Sequence, residues 1–247
     1  MTVEKILTQM NEILNGMDED FKSNVEYSLK RNVFLDDSAG KFAKFIKELQ
    51  EEVFKSEAKK DGKGSALAAA KRTLKFSRKE CIKEVAWYAD DRTGEQVIMG
   101  SGYYGVSLVE NDKLPLEPMP EEIKNNSEPL KIRKYILNTN DRNGEKLALL
   151  ELKKLKYALR IKKAEVGKLK NGEHILIDFG TILLNLEFLI NTIEMLGDEG
   201  ITATYYSDKH PLIIENSNGS IGVVCPINPA RRTKEGCEKL IIKANEL

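Results

Sequence analysis

One segment of the chain, Gly100-Ser-Gly-Tyr-Tyr-Gly105, matches the G-x-G-x-x-G pattern of dinucleotide-binding proteins. In those proteins a helix begins at the third glycine, so that its N-terminus meets a pyrophosphate. Here Val106-Ser-Leu-Val109 predicts a continuing strand instead, and prolines follow it. A nucleotide-binding enzyme built around this glycine turn is therefore the weakest of the functional hypotheses, and no cofactor is expected.

The histidines and cysteines do not form a reactive pattern. His174 and His210 are the only histidines, and a surface or edge histidine with its hydrogen bonds satisfied explains each of them. Cys81, Cys225 and Cys237 are odd in number and widely spaced, which is typical of reduced thiols rather than of a disulfide framework or a zinc site. The sequence contains no phosphate loop or nucleophile–base pattern. We expect no catalytic residue, no metal and no enzyme activity.

Composition indicates a globular protein with one large or two small cores. The chain has 247 residues, of which 41% are hydrophobic and 32% charged. No run is apolar enough to span a bilayer, and the N-terminus lacks a hydrophobic signal segment, so a cytoplasmic protein without membrane contact is expected. Basic and acidic residues balance at 39 each, so any contact with nucleic acid must come from local charge asymmetry.

The stretch from Asn185 to Asn228 has the clearest secondary-structure pattern. Apolar residues at helical spacing follow Asn185, which can cap a helix, and Gly197 can end it. Three β-branched or aromatic runs follow, and Asn218-Gly219 is a strong hairpin signal between the last two. The pattern predicts one amphipathic helix on a small antiparallel sheet, with strands at residues 201–206, 211–216 and 220–227.

An earlier stretch has the same order of elements. Residues 65–76 predict a helix capped by Ser65, and residues 82–88, 96–99 and 103–109 predict three strands. We therefore expect an α+β fold in which helices pack on antiparallel sheets in two similar halves. Residues 1–64 predict a helical N-terminal segment, with a short strand at 32–35 between amphipathic helices.

The segments between and after the two halves are less regular. Residues 111–130 are rich in proline and predict a loop, and residues 131–137 alternate like a strand. Glu145 to Glu165 fits a helix or a strand, and the leucine spacing favours the helix. Residues 174–179 predict a strand. The domain prediction is a main domain at 65–228 with a basic insertion near 131–170, followed by a helical tail at 229–247 with its helix from Glu235 to Ala244.

Both halves resemble the bacterial sliding clamp, the β subunit of the replicative DNA polymerase. The resemblance rests on the apolar helix, a Gly-Asp-Glu corner, the strand in His210-Pro-Leu-Ile-Ile214 and the ending Val224-Cys-Pro-Ile227. Gly100 to Leu108 is similar to the clamp segment Ala-Thr-Asp-Gly-His-Arg-Leu-Ala, with Gly102, Tyr103 and Tyr104 in place of its Gly, His and Arg. Ser101 and Gly105 depart from the Asp and Leu of that motif. The resemblance covers residues 65–110 and 172–228, about two-fifths of the chain.

The resemblance implies a DNA-clamp-like domain without catalytic activity. The protein would be a processivity clamp or a shortened clamp-related replication accessory protein. Because one such domain is far smaller than a full clamp chain, a homo-oligomer would be needed to encircle double-stranded DNA. Peptides of polymerase or clamp-loader type would bind an apolar groove, whose expected lining is Gly102, Tyr103, Tyr104, Val224, Cys225, Pro226 and Ile227. The alternative is that these residues are ordinary core.

Local positive charge supports a DNA surface. Residues 131–170 contain thirteen Lys or Arg and four acids, and such a stretch can neutralise phosphates without base preference. The predicted DNA-binding residues are Lys71, Arg72, Lys75, Lys153, Lys156 and Lys163. A solvated basic face explains the same residues without any ligand. The rival hypothesis is a non-clamp protein-interaction module of mobile-element type, which would bind peptides but would not retain DNA in a salt-sensitive way.

Overall fold

The computed structural model describes residues 8, 12–31, 34–80, 87–89, 93–100, 102–116, 132–133, 143–170, 172–197, 199–234 and 236–247. The chain divides into two compact units, Met1–Gly64 and Ser65–Leu247. None of the helices in the described ranges has the length and hydropathy needed to cross a bilayer.

The described part of the N-terminal unit contains a pair of packed helices, and only the second of them corresponds to a helix predicted from the sequence. Helices α1 (Glu19–Arg31) and α2 (Ser38–Lys60) pack through buried Val25, Ala43 and Ile46. The side chain of Asp37 accepts a hydrogen bond from the Gly40 amide at 2.7 Å and so caps α2. Residues 12–15 are also helical, but most of the first predicted helix lies outside the described residues. The strand predicted at 32–35 is wrong for residues 34 and 35, which are irregular.

The C-terminal unit combines helices with two sheets. Its helices are α3 (Gly64–Glu80), α4 (Leu152–Val166) and α5 (Leu186–Leu196). A seven-stranded antiparallel sheet has the order β1-β2-β3-β9-β8-β7-β4, and a three-stranded sheet has the order β10-β5-β6. The strands are β1 (Trp87–Ala89), β2 (Gln96–Gly100), β3 (Tyr104–Leu108), β4 (Glu145–Leu147), β5 (Leu176–Asp178), β6 (Leu183–Asn185), β7 (Thr202–Tyr205), β8 (Leu212–Glu215), β9 (Ile221–Val224) and β10 (Ile241–Lys243).

The two predicted halves meet in the middle of the large sheet. Strands β1 to β3 form one antiparallel meander, strands β7 to β9 form another, and the last strand of each pairs with the other. In this central pair Tyr104 lies opposite Val224 and Ser107 lies opposite Ile221. Each meander follows a helix, α3 or α5. The prediction of a mixed α+β fold with helices on antiparallel sheets is therefore confirmed.

Helix α5 is the predicted Asn185 helix and lies over the central strand pair. The Asn185 side chain accepts hydrogen bonds from the Glu187 and Phe188 amides at 3.0 and 3.3 Å, and Gly197, with φ 79°, ends the helix. Nine of its eleven residues are buried. Gly222 of β9 lies directly beneath it, because a Cβ there would overlap Thr192 Cγ2 and lie 2.9 Å from Leu196 Cδ1. Glycine at this position permits the close approach of helix and sheet.

Strands β2, β3 and β9 of the large sheet are buried on both faces, since their alternate residues enter two separate cores. Ile98 and Val106 face the core that contains α3, α4 and α5, whereas Val97 and Val223 pack in a second cluster with Ile132. Arg133 donates from Nε to the buried Glu95 carboxylate at 2.8 Å. This bond holds residues 132 and 133 against the second face of the sheet. Ile132 and Arg133 are helical. The strand predicted at 131–137 is therefore wrong for these two residues, and the others lie outside the described residues.

The C-terminal tail differs most from its prediction. The region predicted as a helix from Glu235 to Ala244 contains a 3-10 turn and strand β10, which pairs with β5 in parallel. Arg232 donates to both carboxylate oxygens of Asp178, at 2.9 and 2.8 Å, and so ties the tail to β5. A partner distant in sequence thus overrides the local helical pattern. This parallel pair joins β5, which lies within residues 172–228, to a strand of the tail, whereas only antiparallel pairing was predicted.

Two smaller predictions also need correction. The segment from Glu145 to Glu165, which fitted either a helix or a strand, contains one of each. Strand β4 pairs with β7, and helix α4 begins at Leu152. The helix accounts for most of the segment, as the leucine spacing favours. Helix α3 begins at Gly64, so Ser65 lies within the helix and is not its cap.

We predict that Gly222→Ala destabilises the protein by about 1–3 kcal/mol, because the added methyl group must displace α5 from the sheet. Thr192→Ser removes the overlapping Cγ2 and keeps the hydroxyl that donates to the Phe188 carbonyl oxygen at 2.9 Å. The serine substitution should recover part of the loss in the Gly222→Ala background. Urea unfolding of the four variants measures this coupling. Additive effects of the two substitutions would contradict the proposed close contact.

Candidate functional site

The structure brings the two segments of the predicted groove side by side. The Cys225 amide donates to the Tyr103 carbonyl oxygen at 2.7 Å, just beyond the point where Tyr104 pairs with Val224. The Ile227 amide then donates to the Leu183 carbonyl oxygen at 2.8 Å, which anchors the end of this segment to β6. Residues 102–104 and 224–227 therefore lie at one end of the central strand pair.

Two of the predicted groove residues belong to the core. Tyr104 is only 1% exposed and Val224 is fully buried. Strand alternation turns Tyr104 toward the helices, where its ring stacks on Phe188 with centroids 4.4 Å apart. Its hydroxyl donates to Thr73 Oγ1 at 3.2 Å and accepts from Asn191 Nδ2 at 3.4 Å. Tyr104 was predicted to line the groove, but it is buried and supports this region from beneath.

The remaining residues form a partly exposed surface. Tyr103 is 56% exposed, and its ring lies nearly parallel to that of Phe188 with centroids 6.3 Å apart. Gly102, Cys225, Pro226 and Ile227 are half-buried. We call these five residues the Tyr103 surface: Gly102, Tyr103, Cys225, Pro226 and Ile227. Burial raises the pKa of the Cys225 thiol, which favours the neutral form over a reactive thiolate.

Sequence reasoning missed the ring that supports this surface. Phe188, on α5, contacts the rings of Tyr103 and Tyr104 and lies 5.7 Å from the His174 ring and 5.2 Å from the Phe76 ring. Such offset and tilted aromatic contacts are favourable beyond their area of burial. In the sequence Phe188 lies between positions of the apolar helical stripe. Its aromatic side chain was therefore the only feature that could have indicated a role at this surface.

Several of the predicted DNA-binding residues are engaged in ion pairs. Arg72 and Lys156 both pair with Glu194 of α5, the latter at 2.5 Å, and Lys163 pairs with Glu187. Arg72 Nε also donates to Asn191 Oδ1 at 3.1 Å. These contacts join α3 and α4 to α5, which indicates a structural role for three residues assigned to DNA. The other three are half-buried Lys71, exposed Lys75 and exposed Lys153.

Glu194 is the centre of this helix arrangement. Its side chain is 5% exposed, whereas those of Arg72 and Lys156 are 52% and 44% exposed. A buried carboxylate requires such partners, because removal from water is costly for an isolated charge. In the sequence, Glu194 is recognisable as an acid within a mostly apolar helix. Its cationic partners could not be identified, because they come from helices that are distant along the chain.

A cleft of about 660 Å³ lies between β4, β7 and the start of α4. Its lining includes Leu147, Leu149, Leu150, Lys153 and Ile201. Of the predicted site residues only Lys153 borders it. Across the described residues, no group of three His, Cys, Asp or Glu side chains could hold a metal ion.

Comparison of the chain with protein-family models, with curated proteins and with solved structures finds no match.

Stability at alkaline pH should depend on Tyr104. Burial raises the pKa of its phenol above the ordinary value of 10.0. The neutral phenol therefore contributes its full stabilisation of the folded state below about pH 10. This stabilisation is lost at higher pH, because the tyrosine then ionises more readily in the unfolded chain than in the folded one. Tyr104→Phe should therefore lose less unfolding free energy than the wild type between about pH 8 and pH 11. Urea titrations at each pH measure this, with exposed Tyr103→Phe as control. Equal losses in wild type and Tyr104→Phe would contradict it.

The Glu194 arrangement predicts a conditional loss of stability. Arg72→Ala with Lys156→Ala leaves a buried carboxylate without its two cations and should cost about 3–5 kcal/mol. In a Glu194→Gln background the same two changes should cost far less, since no charge remains to be neutralised. Denaturant unfolding checks both values, and Lys75→Ala with Lys153→Ala provides an exposed-lysine control. An equal loss in both backgrounds would show that packing, not charge, joins these helices.

Proposed function

We propose that the chain is a clamp-type accessory protein of DNA replication, which binds duplex DNA without base preference and presents a groove to partner peptides. The observation that carries this proposal is the central pairing of β3 with β9. It joins two helix–strand–strand–strand halves into one sheet, in which each half contributes three strands beside that junction and β4 adds one more strand next to β7. This arrangement agrees with the internal repeat that the resemblance to sliding clamps implies.

The charge on the helices supports contact with a polyanion. Helix α4 contains six Lys or Arg residues and one acid, Glu165. Exposed Lys153 and Lys154 make no ion pair with any residue that the structure describes. The only charged residues of helix α5, in contrast, are the acids Glu187 and Glu194. Each of them pairs with a cation from a neighbouring helix. The outer face of α4 is therefore the best-supported DNA contact, with Lys75 of α3 as a second contributor.

The peptide contact in this proposal is the Tyr103 surface. Its exposed ring and half-buried Pro226 and Ile227 can exclude water from a Leu or Phe side chain of a partner, worth roughly 1.5–3 kcal/mol per anchor. Contacts of this size suit partners that exchange. Polymerase-like or clamp-loader-like peptides are the proposed ligands. A homo-oligomer is proposed as well, because a single copy of such a domain cannot surround a duplex.

A protein-interaction module without DNA retention is the second candidate. The observation that favours it is the ion pairing of Arg72, Lys156 and Lys163, which reduces the charge available to phosphates. Such a module would retain the Tyr103 surface as its binding site. Peptide binding without salt-sensitive binding of duplex DNA would favour this candidate over the clamp. A cytoplasmic location remains a prediction from the sequence for both candidates.

We predict that Lys153→Glu with Lys154→Glu weakens duplex binding for all DNA sequences. The slope of log affinity against log salt should fall by about 2, one unit for each lost phosphate contact. Fluorescence anisotropy over a salt series measures the slope. The matched control is Lys209→Glu with Lys234→Glu, which makes the same change in net charge at other exposed positions. An equal change in the control would show that net charge, not the α4 face, determines binding. Lys156 and Lys163 are left intact because their ion pairs stabilise the helices.

A further inference from the structure

Helix α4 has an exposed aromatic side chain among its positive charges. Tyr157 is 58% exposed, and the Arg160 guanidinium carbon lies over its ring, 5.2 Å from the centroid. Ile161, one turn further on, is 38% exposed. Leu155 and Ala158 are the buried residues of the same helix. The helix thus directs Tyr157 and Ile161 away from the core, although the sequence could also place them on one strand face with Leu155.

The basic residues around Tyr157 share its face. Lys153 and Lys154 precede it by four and three residues, and Arg160 follows by three, so all three lie beside it on the helix surface. Glu165, the only acid of the helix, pairs with Lys162 at 3.2 Å. The neighbourhood of the ring is therefore uniformly positive among the described residues of α4, and it combines cations with a flat π surface.

We propose that this face of α4 binds single-stranded nucleic acid, with an unpaired base stacked on Tyr157 and the flanking phosphates held by Lys153, Lys154 and Arg160. Aromatic rings within a positive surface are the common basis of binding to single strands, because every base has a face that can stack. Arg160 adds a planar cation that can extend the stack. The inference rests on the proposed function, since it takes nucleic acid to be the partner.

The alternatives account for less of this arrangement. A duplex keeps its bases stacked within the helix and presents phosphates, so it would use the lysines and gain little from the tyrosine ring. An acidic peptide would likewise be satisfied by the cations. The Tyr157–Arg160 contact can also stabilise α4 weakly, as a cation–π pair at an exposed site, but that structural role does not explain why two lysines lie on the same face.

The test measures binding of a fluorescent thymidine oligonucleotide and of a hairpin duplex with the same number of phosphates, by anisotropy at fixed salt. Tyr157→Ala should weaken binding of the single strand by about tenfold, and Tyr157→Phe should retain it, because stacking requires only the ring. Duplex affinity should change less than about twofold in both variants. Tyr27→Ala is the matched control, since Tyr27 is 57% exposed in the N-terminal unit.

Each other outcome is decisive. Equal affinity of wild type and Tyr157→Ala for the single strand would overturn the inference, as would a single strand that does not bind while the duplex does. Both results would leave the proposed clamp function in place. Failure to bind either nucleic acid would overturn the inference together with the DNA part of the proposed function. Circular dichroism of each variant confirms that α4 remains folded.

Discussion

The structure of the C-terminal unit depends on the burial of α5 against the central strand pair. Strands β3 and β9 join the two halves of the sheet, and α5 covers the line along which they meet. Close contact is possible because Gly222 has no side chain to separate Thr192 and Leu196 from the sheet. Phe188, from the same helix, stacks on Tyr104 of β3. One helix thus fixes the geometry of both halves.

The same helix organises the charges around it. Its two acids, Glu187 and Glu194, face cations from α3 and α4, so part of the basic character of those helices serves to hold them in place. Of the basic residues outside these pairs, Lys153, Lys154 and Arg160 share the outer face of α4 with Tyr157. At the end of the central strand pair, Tyr104 is buried and only Tyr103 reaches the surface. Neighbouring residues of the same segment are therefore divided between the core and the surface.

The sequence predicts the elements whose pattern is local. Asn185 and Gly197 define both ends of α5, and the Asn218-Gly219 turn joins β8 to β9 as expected, with Gly219 at φ 86°. The repeated order of elements also anticipates the two meanders. Pairings distant in sequence could not be read in the same way. Strand β10 forms because β5 offers it an edge, and no spacing within residues 235–244 reveals that partner.

The site residues show the same limit at the level of single side chains. Tyr103 and Tyr104 are chemically alike, and only the register of β3 against β9 decides which of them is buried. A lysine on an amphipathic helix can likewise face solvent or an acid on a neighbouring helix. The sequence could not distinguish Lys153, which is exposed and makes no ion pair with any described residue, from Lys156, which pairs with Glu194. Identifying the segments was possible, whereas assigning their roles required the packing.

The proposal that the protein is a clamp is tested most directly by its topological retention on DNA. The protein is loaded onto nicked circular duplex, alone and with a crude replication extract, and each sample is washed at high salt, which screens direct charge contacts. Each washed sample is then divided, and the DNA in one half is linearised. If the protein is a clamp, it should stay on the circles and be released when the DNA gains free ends. Equal retention on circular and linear DNA, or none on either in both loading conditions, would contradict it.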